Sequence, residues 1–352
     1  MHTFFIVKHF FSVYNGREKA FGKGGKAAFM KEFSVNRNDA GQRLDRFVGK
    51  TVPLLPSSLL QKYIRLKRIK VNGKGFPRDG KLKEGDFVQM YVNDEFFEKP
   101  SEENAYLRIS SPRLDIVYED ENVLLLNKDA GVLCHADGGW SYDTLIARVQ
   151  AYLYAQGEWK PKEENAFAPA LCNRIDRNTQ GIVLAAKNAE ALRILNEKIR
   201  CREIEKSYLT IVCGRPDPPS GTIESFLFKD ASQNRVIVKR QREPGAKTAV
   251  TEYETLASRS GLSLLRCRLI TGRTHQIRAQ LASIGVPLLG DGKYGREKDN
   301  RKYGEKGQLL CSYRLDMAFE TDAGALNYLK GKSFRLQRIG FVEKYFPGFS
   351  VV

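Results

Sequence analysis

The chain has 352 residues, 42% hydrophobic and 28% charged, with 58 Lys and Arg against 41 Asp and Glu and a formal net charge of +17. That length allows a large core plus a smaller domain, at roughly 100–200 residues per domain, and no run reaches the ~20 uninterrupted apolar residues of a membrane-crossing helix. The charge is uneven, since residues 1–100 carry 20 Lys/Arg against 10 Asp/Glu. A surface that neutralises phosphates has this pattern, as does a solvated basic surface kept for solubility.

Met1–Gly16 holds the aromatic pairs Phe4-Phe5 and Phe10-Phe11, but Lys8 and His9 interrupt the apolar run and no small-residue cleavage pattern follows. A signal peptide is therefore a poor match, while the lack of acids before Glu18 leaves a transit peptide open. Gly22–Lys26 has linker composition. Regular patterning starts at Met30, so residues 1–29 are expected to be disordered or a misassigned extension. Six cysteines (134, 172, 201, 213, 267, 311) include no C-x-x-C pair, and four histidines (2, 9, 135, 275) complete no zinc pattern. Reduced structural thiols and no metal site are expected.

Residues 30–95 read as a small α/β unit. Leu44, Phe47 and Val48 have helical spacing, with Asp39 as the expected N-cap; Ser57 or Ser58 caps a second helix through Leu59, Leu60, Tyr63, Ile64 and Leu66. Ile69–Val71 is a strand, Asn72-Gly73 a hairpin turn, and Phe87–Val92 a further strand. Lys62, Arg65, Lys67, Arg68 and Lys70 have no acid among them between Gln61 and Val71. They suit a phosphate backbone, or simply a solvated helix end. The R-L-D-x-F opening, the S-x-x-x-x-x-I helix and the R-I-K-V-N-G strand-turn resemble the ribosomal-protein-S-four-like RNA-binding fold over about 60 residues, which implies RNA contacts for Lys62, Arg65 and Arg68.

Glu95–Pro112 is acidic and Pro/Ser-bearing, so residues 96–112 are expected to link this unit to a domain at 113–352. There, Asp115–Tyr118 and Val123–Asn127 read as strands and Asp143 as the cap of a helix holding Leu145, Val149 and Leu153. Gly181–Ala186 is a strand, Asn188 opens a helix through Ile199, and strands follow at Ser207–Val212, Val236–Val238, Ala249–Thr255 and Leu262–Ile270. A helix is expected over Arg273–Ile284, with Ile277, Leu281 and Ile284 on one face. Many strands with few helices predict an α+β fold with a large, mostly antiparallel mixed sheet and flanking helices.

Two segments can carry chemistry. In Leu171–Gly181, Arg174, Asp176 and Arg177 lie on a polar loop before an apolar strand. A carboxylate flanked by arginines stays ionised and suits attack on, or stabilisation of, a sugar carbon with oxocarbenium character. A structural Asp–Arg pair in a turn fits equally well. In Thr271–Arg278, a strand runs into a helix whose N-terminus, with Arg273, suits an anion. His275 and Arg278 share a face there, whether as site residues or as a surface pair.

Taken together, N-R-I-D-R-N-T-x-G, K-S-Y-L at Tyr208, G-R-T-H-Q-I-R and Gly285–Gly295 resemble the RluA-type family of large-subunit ribosomal RNA pseudouridine synthases. The resemblance spans about Leu114 to Tyr345. It implies isomerisation of uridine without a cofactor, with Asp176 as the essential carboxylate and Arg278 as its partner. Tyr208 would lie against the base and help remove the proton from C5, and Arg174 would help displace the base from its stack; Arg273 and His275 are further substrate-site candidates. The implied partner is RNA, large-subunit ribosomal RNA favoured over transfer RNA, in the cytoplasm, with no membrane or obligate protein partner and the enzyme a monomer. Asn173 and Gln180 depart from the His and the Ser or Gly of many members, which bears on substrate preference. The alternatives are a non-catalytic RNA-binding or ribosome-assembly factor and an RNA methyltransferase; the latter lacks a glycine-rich strand-turn-helix, Gly73-Lys-Gly75 being a weak match.

Overall fold

The computed structural model describes residues 30–35, 39–98, 104–136, 141–161, 167–230, 233 and 235–350, so the expectation for residues 1–29 lies outside the described residues. The chain divides into two compact units, the first ending at Ser110 and the second beginning at Ser111.

In the first unit, β1 (Met30–Ser34), β2 (Ile69–Val71), β3 (Lys74–Gly75) and β4 (Phe87–Tyr91) form an antiparallel sheet in the order β1-β4-β2-β3. Helices α1 (Leu44–Thr51) and α2 (Ser57–Arg65) bury Leu44, Phe47, Val48, Leu60 and Ile64. Asn72 and Gly73 both have positive φ, 51° and 76°, as the two central positions of a tight hairpin require. Two expected caps fall elsewhere. Asp39 accepts a hydrogen bond from Gln42 Nε2 instead of capping α1, whose N-cap is Arg43, and Ser57 and Ser58 lie inside the first turn of α2, behind Pro56. The stretch expected as linker contributes short 3₁₀ turns at Asp94–Phe97 and Ala105–Arg108. They bury Phe96, Tyr106 and Leu107, apolar residues too few to set up a readable period.

The second unit begins with β5 (Ile116–Glu119), β6 (Val123–Lys128), α3 (Leu145–Gln156), β7 (Ala170–Leu171), β8 (Gln180–Ala186), α4 (Ala189–Arg200) and β9 (Glu205–Cys213). There follow β10 (Ser220–Asp230), β11 (Arg235–Lys239), β12 (Lys247–Arg259), β13 (Leu262–Leu269), α5 (Gln276–Ser283), α6 (Glu297–Tyr303), β14 (Leu310–Asp316), β15 (Ser333–Arg335) and α7 (Gly340–Tyr345). Among the described residues the sheet has 11 strands, running β11-β10-β12-β13-β9-β14-β8-β6-β5, with β15 beside β14 and β7 beside β8. All these pairs are antiparallel except β14–β8. The expected α+β class with a mostly antiparallel mixed sheet is the one observed. Val123–Leu126 and Ile182–Ala186 are fully buried along consecutive positions, because layers cover both faces of these central strands.

Three details differ from expectation. Thr144, not Asp143, caps α3 by accepting from Ala147 N, while Asp143 pairs with Arg148. Helix α5 starts at Gln276, three residues later than expected, and Ile284 is 42% exposed instead of joining its apolar face. Strands β10 and β14 and helices α6 and α7 were not anticipated.

The parallel step brings Gly181 opposite Ser312, and Ser312 opposite Tyr208 on β9. Gly181 has φ 117°, and a Cβ there would collide with the Ser312 backbone. Gly181→Ala should destabilise the protein by about 3 kcal/mol or more through strain and strand separation; an unchanged melting temperature would contradict this packing.

Candidate active site

The loop between β7 and β8 carries Asp176, and its shape is held by bonds made on either side. Asn173 Oδ1 accepts from Leu184 N (2.8 Å), and buried Thr179 donates its N–H to the Asp176 carbonyl (3.0 Å). Lys128, 1% exposed at the end of β6, donates to the carbonyls of Asp129, Val132 and Arg177 at 2.8, 2.8 and 3.0 Å. Its burial pulls the ammonium down to about 8. The loop is therefore clamped to the core from beneath.

The arginines flanking Asp176 in sequence do not pair with it. Arg177 turns away and donates to the Gly131 carbonyl (3.1 Å), and Arg174 is exposed, lining the cleft with no hydrogen bond or ion pair among the described residues. The partner comes from 102 residues further along: Arg278 Nη1 donates to Asp176 Oδ2 at 2.9 Å. Arg278 is also gripped from behind by Asp291, which the sequence reading missed. Asp291 accepts Nε at 2.7 Å and Nη2 at 2.9 Å in a bidentate pair, with its side chain 0% exposed. The same carboxylate accepts from Lys293 N and Tyr294 N. Burial opposes the Arg278 charge, but the bonds and charge of Asp291, reinforced by Asp176, raise the guanidinium above its ordinary value. Gly295 packs so closely that a Cβ would overlap the Asp291 carbonyl, one reason the Asp291–Gly295 segment takes no side chain there.

Helix α5 presents Arg278 because two glutamines bolt it to the sheet. Gln276 Nε2 donates to Val250 O (3.0 Å) and Thr251 Oγ1 (2.8 Å), while its Oε1 accepts from Thr271 Oγ1 and Arg273 N. Gln280, fully buried, donates to Ile223 O, Ser225 Oγ and Ala249 O and accepts from Thr251 Oγ1. Buried amides satisfied this fully fix a helix in one register.

His275 precedes the helix in the left-handed region, φ 53°. Its Nε2 lies 3.8 Å from Asp176 Oδ2, and its Nδ1 is 2.9 Å from the Tyr294 hydroxyl, which also accepts from Val236 N (2.7 Å). A lone pair facing a carboxylate would be repelled, so the proton belongs on Nε2 and Tyr294 donates to Nδ1. Burial, seconded by Arg278 against the pull of Asp176, holds this imidazole neutral down to about 4. Arg278 and His275 thus both address Oδ2 of Asp176, whose side chain is 26% exposed, and Oδ1 has no hydrogen bond among the described residues.

Tyr208 lines the same cleft of about 780 Å³, together with Arg202, Lys206, Arg268 and Arg273. Burial, with the Asp176 charge added, raises its phenol well above the ordinary tyrosine range, so it stands there as a neutral phenol. Arg273 is exposed and donates Nε–H to Thr248 O (3.1 Å). The structure thus gathers Arg174, Asp176, Tyr208, Arg273, His275 and Arg278 around one cleft. Lys62, Arg65 and Arg68 belong to the first unit, exposed and without ion pairs among the described residues. No group of three or more His, Cys, Asp or Glu among the described residues is placed to hold a metal.

Neutral His275 makes a pH-dependent contribution. An unfolded histidine protonates near 6.5 and the folded one only near 4, so the unfolded chain takes up the extra proton first as pH falls. The resulting stability is intact above about 6.5 and is lost between about 6.5 and 4. In thermal melts over that range, His275→Asn should lose less stability than the parent; parallel profiles would contradict a neutral buried His275.

The sequence profile of the family described as RNA pseudouridylate synthase matches residues 122–283. An uncharacterized RNA pseudouridine synthase of Mycoplasma genitalium is 32% identical over 291 residues, covering 81% of this chain and 88% of that protein. The ribosomal large subunit pseudouridine synthase D of Borreliella burgdorferi is 33% identical over 300 residues, covering 85% and 87%. Among solved structures, human RNA Pseudouridylate Synthase Domain Containing 4 matches with a TM-score of 0.50 at 22% identity, over 64% of this chain and 89% of that one, a likeness of fold. Identity of this order over most of both proteins shows the family: the chain belongs to the RluA-type RNA pseudouridine synthases, which turn uridine in RNA into pseudouridine.

Proposed function

We propose that this enzyme modifies uridine in large-subunit ribosomal RNA, with the cleft around Asp176 as the catalytic site. The observation that carries the site assignment is the one-sided holding of the Asp176 carboxylate in the cleft wall, Oδ2 engaged by Arg278 and Oδ1 without a hydrogen bond among the described residues. Isomerisation breaks the bond between N1 and C1′, turns the uracil, joins C5 to C1′ and releases the C5 proton, with no redox change and no group from outside. Adding a carboxylate to C1′ and using it to draw a sugar proton both need an oxygen with free lone pairs, and Oδ1 has them. Arg278 keeps the carboxylate ionised and aimed. Arg174, an exposed cation of the cleft wall, helps displace the base from its stack, and Arg273 and His275 complete the wall that receives the nucleotide.

Tyr208 lies against the uracil in this reading. Because its phenol is held protonated, it accepts the C5 proton only by passing on its own, which narrows the expectation drawn from the sequence. Ribosomal RNA as substrate is supported by the names of the Borreliella relative and of the Escherichia coli ribosomal large subunit pseudouridine synthase C, 29% identical over 282 residues. The first unit serves as the ribosomal-protein-S-four-like RNA-binding domain, through exposed Lys62, Arg65 and Arg68. We place the enzyme in the cytoplasm as a monomer; no helix of the described residues is long and apolar enough to cross a membrane.

Two experiments test this. Tritium release from ribosomal RNA labelled at uridine C5 should be undetectable with Asp176→Asn and about 10²–10⁴-fold slower with Tyr208→Phe; equal release by Asp176→Asn and the parent would remove Asp176 from the centre. Replacing Lys62, Arg65 and Arg68 by Ala should weaken RNA binding and flatten the dependence of log K on log salt by about 2 to 3, sparing turnover at saturating RNA. An unchanged slope would give the first unit another task.

A further inference from the structure

Lys206 is among the cations of the cleft that the chemistry above leaves without a task. Lys206 lies on β9 two residues before Tyr208, and residues two apart on a strand share a face; both line the cleft. The sheet changes partners at this point. Strand β13 accompanies β9 as far as Arg268 opposite Ser207, and beyond it Leu269 pairs only with Thr251 of β12. Lys206 therefore has β14 on one side, opposite Leu315, and no β13 partner on the other. The segment from Leu269 to His275 forms another part of the cleft wall.

The acids near Lys206 along the sheet are already engaged. Glu205 and Glu252 both accept from Arg268, at 3.0 and 2.7 Å, and Asp316 accepts from Arg314 at 2.9 Å. Lys206 itself is half-buried and makes no hydrogen bond or ion pair among the described residues. Burial alone acts on its ammonium, pulling it below the ordinary lysine range with no carboxylate in opposition. A partly desolvated charge without a partner is costly, and a ligand that brings the opposite charge removes that cost. The Asp176 charge cannot serve, because Arg278 already balances it. A uracil carbonyl would satisfy an N–H but not the charge. A nucleotide drawn into the cleft carries a phosphodiester on each side, and lysine is a natural point-charge ligand for phosphate.

We infer that Lys206 binds a phosphodiester oxygen flanking the target uridine and so holds the extruded nucleotide's backbone against the Tyr208 face of the cleft. This rests on the reading of the cleft as the uridine site. The test uses the full-length enzyme and a short RNA that it modifies, with a neutral methylphosphonate placed in turn at the phosphate 5′ or 3′ of the target. KM, kcat and salt dependence are measured by C5 tritium release for the parent, Lys206→Met and Lys206→Arg.

Lys206→Met should raise KM about tenfold, flatten the salt slope by about 0.7–0.9 and keep kcat within about twofold, with Lys206→Arg regaining most of the affinity. One of the two methylphosphonates should weaken the parent by a similar factor and leave Lys206→Met unaffected. Equal methylphosphonate losses in both proteins would overturn the inference, as would a fall in kcat at saturating RNA with an unchanged salt slope, which would put Lys206 on the base. If Lys206→Met does not fold, as judged by circular dichroism, the parent alone decides, because indifference to both methylphosphonates overturns the contact. Failure of the parent on every unmodified ribosomal RNA tested would instead sink the reading of the substrate, a result distinguishable from failure of Lys206.

Discussion

A guanidinium taken out of water has N–H donors to satisfy and a charge to balance, and in this fold Asp291 and Asp176 together accept from three of the five donors of Arg278 and balance its charge. The division of labour between them follows from their surroundings. Asp291 is sealed, accepts two bonds from Arg278 and two from the backbone, and has nothing left to offer a ligand. Asp176 accepts an Nη1–H on Oδ2 and lines the cleft. Breaking a buried pair of this kind by removing one partner costs several kcal/mol, because the other is stranded. The arrangement therefore ties the aim of the Asp176 carboxylate to the integrity of the fold.

The rest of the second unit can be understood as what keeps that arginine and that loop in place. Gln276 and Gln280 fasten α5 to β10 and β12 through hydrogen bonds of their side-chain amides, which fix its rotation and register. Lys128 fastens the Asp176 loop to the end of β6 through three carbonyls. The parallel contact of β8 with β14, close enough to require Gly181, carries the strand after that loop up to Ser312 and hence to Tyr208. Tyr294 extends the set outward. Its ring lies 5.3 Å from the Arg278 guanidinium and 5.2 Å from that of Arg235, and its hydroxyl joins His275 to the edge strand β11. Asp176 is thereby connected to the sheet edge by a chain of packed and hydrogen-bonded groups.

How much of this could be read beforehand differs from residue to residue. The apolar runs of β6 and β8 and the Asn72-Gly73 hairpin were legible because burial on both faces and positive φ leave direct marks in composition. The Asp176 loop and α5 were legible as motifs, but local electrostatics pointed to the wrong partners. Arg174 and Arg177 flank Asp176 in the chain, whereas the cation that holds it lies 102 residues away, a contact set by strand order that no local pattern reports. Asp291 lies within the Gly285–Gly295 motif, but nothing in Gly-Asp-Gly-Lys-Tyr-Gly reveals that its carboxylate is sealed. Helix α6 buries none of its residues and so has no apolar period to find. Strand β10 did carry a signal in the alternation of Ile223, Ser225 and Leu227, but it opens on Ser220-Gly221-Thr222 and one of its buried positions is itself a serine, a composition that reads as loop. Caps were legible unevenly: Asn188 caps α4 as expected and Thr144 takes the place of Asp143 for α3, but the N-cap of α1 is Arg43, four residues past Asp39.

The most direct test of the central claim, that Asp291 aims Asp176 through Arg278, is the single-turnover rate of Asp291→Asn on pre-bound RNA. Asparagine keeps the shape and can still accept from the backbone N–H groups, but it removes the charge that holds the guanidinium. The account predicts a rate lower by about 10²-fold with RNA affinity unchanged and the fold retained by circular dichroism. A folded Asp291→Asn enzyme with the parent's single-turnover rate would contradict it.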